Sequence, residues 1–183
     1  MTGGAGRSPI IRTMTRIEVL RPFVEQTVKA YLGVDLLEVL EDGTIPIRAG
    51  STAVNVQLID GPPGGHPLLR VWSPVLQDIS ASPELLAKLN DLNASLSLAR
   101  AYFRDGVVVI SMELLAESLD EEQIANACRL VSFAADHWDD ELQQAFGGST
   151  FFGTETDTKG DGPAPEGRSE ASKEDDGDPG GYL

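Results

Sequence analysis

Cysteine, histidine, basic residues and long apolar runs are all scarce in this chain, and each scarcity removes a class of function. Cys128 is the single cysteine in 183 residues. No internal disulfide can form, and the chain reads as a protein of the reducing cytoplasm. There are two histidines, His66 and His137. Lysine and arginine total 14 against 29 acids, a formal charge of -15. Nucleic-acid phosphates and anionic membrane surfaces both demand clustered cations, so neither is expected as a partner. A basic or apolar partner is tolerated or attracted. No apolar run approaches the roughly 18 residues of a membrane-spanning helix. The stretch "MTGGAGRSPIIRTMTRIEVL" has scattered arginines and lacks the continuous apolar region of a secretory signal.

The reactive constellations are missing as well. His66 lies in the loop "PPGGHP" with no partner motif. His137 and Glu141 in "DHWDDE" sit one helical turn apart, but a metal site needs three or four convergent ligands with supporting contacts. The expectation there is a solvated acidic face opposite the Trp138 stripe, and no metal. Cys128 falls in an apolar stripe, where a thiol is inert. "GPPGG" is followed by no Lys-Ser or Lys-Thr, and neither G-x-S-x-G nor H-E-x-x-H occurs. No enzyme and no cofactor are expected.

What is present is a regular body with irregular ends. Residues 1–12 read as a flexible N-terminus and 13–146 as the folded domain. From Gly147 the chain turns to Gly, Pro, Ser and acids, with nine acids against three bases. Residues 147–183 are therefore expected to form a disordered acidic tail, leaving -9 of the net charge on residues 1–146.

Within the body, Ile17, Leu20, Val24, Val28 and Tyr31 recur at spacings of three and four. They predict a helix over 13–32, closed by Gly33. Pro22 either bends that helix or marks its true start. "LLEVLEDGTIPIRAG" suggests a hairpin about Asp-Gly-Thr. "STAVNVQLIDG" reads as a strand with Val54, Val56 and Leu58 on its dry side. In "HPLLRVWSPVLQDI", apolar on both faces, Pro74 marks an edge or a bend. Ser82 and Pro83 open a second helix striped by Leu85, Leu86, Leu89 and Leu92.

The most regular stretch is "LARAYFRDGVVVISMELLAESLDEEQIANA", Leu98 to Ala127. Asp105-Gly106 supplies the two positive-φ residues of a tight hairpin, and a two-residue loop fixes the register. Phe103 then faces Val108, Ala101 faces Ile110 and Ala99 faces Met112. On the other side Tyr102 meets Val109, Arg100 meets Ser111 and Leu98 meets Glu113. Asp120 and Gln123 have capping-box spacing, and Leu119 and Ile124 form a staple. Ile124, Ala127, Cys128, Val131, Ala135, Trp138 and Leu142 make one apolar stripe. The element order is α-β-β-β-β-α-β-β-α, an α+β domain with an antiparallel sheet and helices collecting mainly on one face.

The segment "LNDLNASLSLARAYFRDGVVVISMELLAESLDEEQIANA" resembles one that recurs in YbjN-like proteins of actinobacteria, grouped with type III secretion chaperones of the CesT kind. The likeness rests on the "LN-x-LN" end of the second helix, the strand with an aromatic before Asp-Gly, the apolar return strand, and "LDEEQIANA" opening the last helix. It covers roughly Thr15 to Phe146. It implies a type III secretion chaperone-like α+β domain that binds peptide segments of partner proteins, often as a homodimer. It also admits a sensory-transduction-type regulator that holds no client.

Apolar residues on both sides of a sheet mean that both sides are covered by something. Leu98, Tyr102 and Val109 need a cover, which is the second helix, a second subunit or a client. With Trp72 they are the residues expected to meet a peptide or protein partner.

Overall fold

The computed structural model describes residues 15–49 and 52–150. Helix α1 spans Arg16–Leu32 and is followed by β1 (Ile45–Ala49), β2 (Thr52–Ile59) and β3 (Leu68–Leu76). Helix α2 (Pro83–Ser95), β4 (Arg100–Arg104) and β5 (Val107–Leu115) come next. A 3-10 turn (Ala116–Ser118) leads into α3 (Glu121–Phe146).

Local chemistry sets the helix ends. Thr15 and Glu18 form a capping box at α1, and Gly33 closes it in the left-handed region. The helix starts well before Pro22, so this proline lies inside it and removes one i→i−4 hydrogen bond. The Ser82 hydroxyl accepts from the Leu85 amide at 3.1 Å, with Pro83 at the first helical position. At α3 the Gln123 amide donates to the Asp120 carboxylate, and the Asp120 amide donates back to the Gln123 side chain.

All strand pairs are antiparallel, in the order β1-β2-β3-β5-β4. The β4–β5 ladder has the register that the two-residue loop dictates, from Arg104↔Val107 through Arg100↔Ser111. Asp105 and Gly106 hold φ of 51 and 85°. The ladder stops at Arg100, so the expected facings of Ala99 with Met112 and Leu98 with Glu113 are not part of it. Pro74 stands in the central strand β3, not at an edge. It is accommodated by a bulge, with Pro74 opposite Val109 and Leu76 opposite Val108.

The sheet has one strand fewer than expected. Leu36–Leu40 is not a strand. The Leu40 amide bonds the Thr44 carbonyl and the Gly43 amide bonds Leu40, so the chain turns, but no ladder follows. Leu37 packs on the core, whereas Leu36 and Val39 stay exposed. One inward contact per five residues does not hold a strand against the edge of β1.

All three helices lie on the same face of the sheet. Val24 and Val28 of α1 and Ile124, Cys128 and Val131 of α3 meet Ile47, Val54, Val56, Leu69, Val71 and Met112. Leu85, Leu89 and Leu92 of α2 join Ala135 and Leu142 of α3 over Ala101, Val108 and Ile110. Each fully buried leucine of this kind contributes about 2 kcal/mol.

The described residues run four positions beyond the expected domain end. Gly147 and Gly148 take φ of 72 and 79°, turning the chain back so that Ser149 and Gln77 exchange backbone hydrogen bonds of 3.0 and 2.8 Å. The rest of the expected acidic tail, from residue 151, and the expected loose N-terminus lie outside the described residues.

Candidate functional site

Because the helices share one face, the other face of the sheet carries no helix among the described residues. Alternation along the strands sends Asn55, Arg70, Trp72, Pro74, Tyr102, Arg104, Val107 and Val109 to this open side. They line a groove of about 440 Å³. The second helix does not cover it: α2 packs behind the sheet, on Ala101 and Ile110.

The groove has an apolar middle and charged ends. Pro74, Val109 and Tyr102 form one cross-strand row, and Asn55, Trp72, Ser111 and Arg100 the next. Ser111 is 1 % exposed, and its hydroxyl makes no hydrogen bond among the described residues. At one end the Glu113 carboxylate is shared. Its Oε1 takes Arg70 Nη2 at 2.8 Å and Arg100 Nη2 at 2.9 Å. Two guanidiniums on one carboxylate leave a surplus of positive charge on a chain that is acidic elsewhere. The Arg100 guanidinium also lies 5.8 Å from the Tyr102 ring centre. At the other end Arg104 pairs with Asp105 of the hairpin turn.

Three of the four residues singled out in the sequence, Trp72, Tyr102 and Val109, come together in this groove. Leu98 does not join them. It precedes the first ladder residue of β4, and its 68 % exposed side chain lies instead with Leu130 and the 71 % exposed Phe133 of α3. Met112 and Leu114 continue that second apolar surface. Leu130 and Phe133 carried a signal in the sequence, since they are large apolar residues off the buried stripe of α3.

The titratable candidates are held in structural roles. His137 stacks on Phe133 at 5.9 Å and meets Trp138 edge-on at 4.9 Å. Glu141 pairs with Lys88, whose ammonium lies 5.0 Å from the Trp138 ring centre. Among the described residues, no three His, Cys, Asp or Glu side chains converge as metal ligands would. Burial pushes the Cys128 thiol up to about 12, the opposite of what a nucleophile needs. Burial is also the largest influence raising the Asp139 carboxyl, ahead of its acidic neighbours Asp140 and Asp136. No helix among the described residues is long and apolar enough to cross a membrane.

A family model described as T3SS (YopN, CesT) and YbjN peptide-binding chaperone 1 matches residues 18–154. Among solved structures, the crystal structure of the ExsC–ExsE complex aligns with a TM-score of 0.55 at 16% identity. The match covers 70% of this chain and 97% of that one. The HopA1–SchA chaperone–effector complex aligns with a TM-score of 0.55 at 8% identity, covering 70% and 99%. YbjN from E. coli aligns at 0.47 and 17% identity, covering 67% and 92%. At these identities the two complexes establish a shared fold. None of the curated proteins compared with the chain matches it.

Proposed function

The chain belongs to the family of T3SS (YopN, CesT) and YbjN peptide-binding chaperones, and on that premise we propose that it is a non-enzymatic module that shelters apolar segments of partner proteins in the open groove of its sheet. The observation that carries this reading is the placement of all three helices on one face. Among the described residues, Trp72, Pro74, Tyr102, Val107 and Val109 have no helix over them. Aromatic and branched side chains grouped on an uncovered face are what an extended apolar segment needs to escape water. Trp72, Tyr102 and Val109 are the contact residues. With one buried cysteine and no spanning helix among the described residues, we place its work in the cytoplasm.

The test uses unfolded, carboxymethylated α-lactalbumin as the client probe. Tyr102→Asp and Val109→Asp together are expected to weaken its binding by about tenfold or more, because a charge in an apolar contact costs at least 1.4 kcal/mol. Circular dichroism and thermal melting verify the fold. A folded double variant that binds the probe unchanged overturns the groove as the client site.

A second reading, a dimeric regulatory protein that holds no client, draws support from the other surface. Leu98, Leu130 and Phe133 form an exposed apolar patch on and beside α3, which suits a second copy of the chain. Sedimentation of the chain with and without Leu98→Asp and Phe133→Asp decides it. A dimer that the pair of substitutions converts to monomer supports this contact, and an unchanged sedimentation coefficient overturns it.

A further inference from the structure

The groove described above lies beside the point where the chain leaves its described body. After α3, Gly147 and Gly148 take positive φ and bring Ser149 into antiparallel pairing with Gln77, a residue of the groove wall. The approach is close: a Cβ on Gly148 would fall 2.3 Å from the Gln77 carbonyl oxygen. The Ser149 hydroxyl adds a 2.7 Å bond to Asp78, itself held at φ 61°. The exit is therefore a built turn, and the next residues are Phe151 and Phe152. Resting on the client-groove reading, we propose that this chain carries its own occupant for the groove. The segment Phe151–Asp157, "FFGTETD", docks on the open sheet face and competes with clients.

Position, volume and charge each support this occupant. Paired residues in an antiparallel bridge project to the same side, and side chains alternate along an extended chain. An extended continuation from Ser149 would present residue 151 to the side that Gln77 faces. The groove's 440 Å³ compares with the roughly 150 Å³ that takes up one benzene, so aromatic rings fit beside Trp72 and Tyr102. The segment continues with Glu155 and Asp157, and the 33 residues after Thr150 hold nine acids against three bases. The groove offers Arg70 and Arg100, which share the Glu113 carboxylate, and Arg104, which pairs with Asp105, so one positive charge is left over. A short tether supplies the segment at an effective concentration in the millimolar range, enough to occupy a weak site. The family match also runs through Phe151 and Phe152 to residue 154.

The test uses the full chain with Trp138→Phe, which leaves Trp72 as the one indole, and a fluorescein-labelled peptide of residues 150–158. Phe151→Ala with Phe152→Ala is expected to raise acrylamide quenching of Trp72 by about twofold. It should also let the peptide bind about tenfold more tightly than to the wild-type tail, since the tethered competitor is gone. Gly148→Ala, which disrupts the exit turn and leaves both phenylalanines in place, should move both readings in the same direction. Equal quenching in all three chains, or a peptide that binds the double variant no better than wild type, overturns the proposal. The α-lactalbumin probe separates this failure from that of the client reading. If the peptide fails while probe binding still depends on Tyr102, only the resident segment falls. If the probe is indifferent to Tyr102 in the double variant as well, the groove falls with it.

Discussion

Asn93 and Ala101 exchange two hydrogen bonds: the Asn93 side-chain Nδ2 donates to the Ala101 carbonyl at 2.9 Å, and the Ala101 amide donates to Asn93 Oδ1 at 2.7 Å. The carboxamide stands in for a neighbouring strand on the outer edge of β4. It ties α2 to the sheet and closes that edge against strand addition at this point.

Replacing Asn93 by Ala leaves one backbone donor and one acceptor without partners in a half-buried place. The expected loss is about 2 kcal/mol, read as a lower urea midpoint with unchanged slope. Asn93→Asp should be destabilised as well, since a carboxylate accepts from the Ala101 amide but has nothing to donate to its carbonyl.

At Gly106 the φ of 85° excludes ordinary side chains, while an added Cβ would meet only the Ile79 carbonyl oxygen at 3.7 Å. The penalty of Gly106→Ala is therefore conformational and should be about 1–2 kcal/mol. Asp105→Gly, by contrast, relieves a non-glycine residue at positive φ and should leave the thermal midpoint nearly unchanged. A Gly106→Ala chain as stable as the parent would contradict the hairpin geometry.

Cys128 is 2 % exposed, and its thiol is raised from 9.0 to about 12. The folded chain holds the proton that the unfolded chain releases. The stability tied to this group is intact below pH 9 and falls as pH rises from there toward 12, by up to about 1.4 kcal/mol per pH unit. Tyr31, also raised by burial, adds to the fall at the upper end. Cys128→Ala should flatten the curve between pH 9 and 10.5 in urea titrations. In the native parent the thiol should react with a disulfide reagent only at the rate of unfolding.

Glu113 pairs with two arginines at once. Glu113→Gln should therefore cost more than an ordinary surface pair, about 1–2 kcal/mol, and that loss should shrink in 1 M salt. Chemical denaturation at low and high salt measures both. The same substitution adds a net positive charge to the groove and should strengthen binding of the labelled 150–158 peptide to the chain lacking Phe151 and Phe152.

What could be read from the residues alone was what short-range rules govern. The Asp105-Gly106 register, the Ser82 and Asp120 caps, the α3 stripe and the alternation of Val54, Val56 and Leu58 all depend on neighbours within a few positions. The misplaced features depend on contacts far along the chain. Leu36–Leu40 is apolar enough to pass for a strand, but it pairs with none. Extending the hairpin register past Arg100 puts Leu98 on the Tyr102 side, but the ladder ends at Arg100. That α2 sits behind the sheet is decided by Leu89 sharing one core cluster with Ala135 and Ile110, which lie 46 and 21 positions away. The Gly147-Gly148 pair, read as the onset of a tail, is a turn whose purpose shows only once Gln77 is seen opposite Ser149.

The neighbour of β3 on one side is β5, which begins 31 positions after Leu76. During synthesis β3 must wait, with Leu69, Val71 and Val75 beside an unpaired backbone, until Val107–Leu115 has been made and folded against β4. A ribosome that stalls between these two strands holds a sheet cut down its middle, the kind of surface on which nascent chains clump. The well-capped α2 and the tight β4–β5 turn shorten that interval, because both form from local contacts as soon as they emerge.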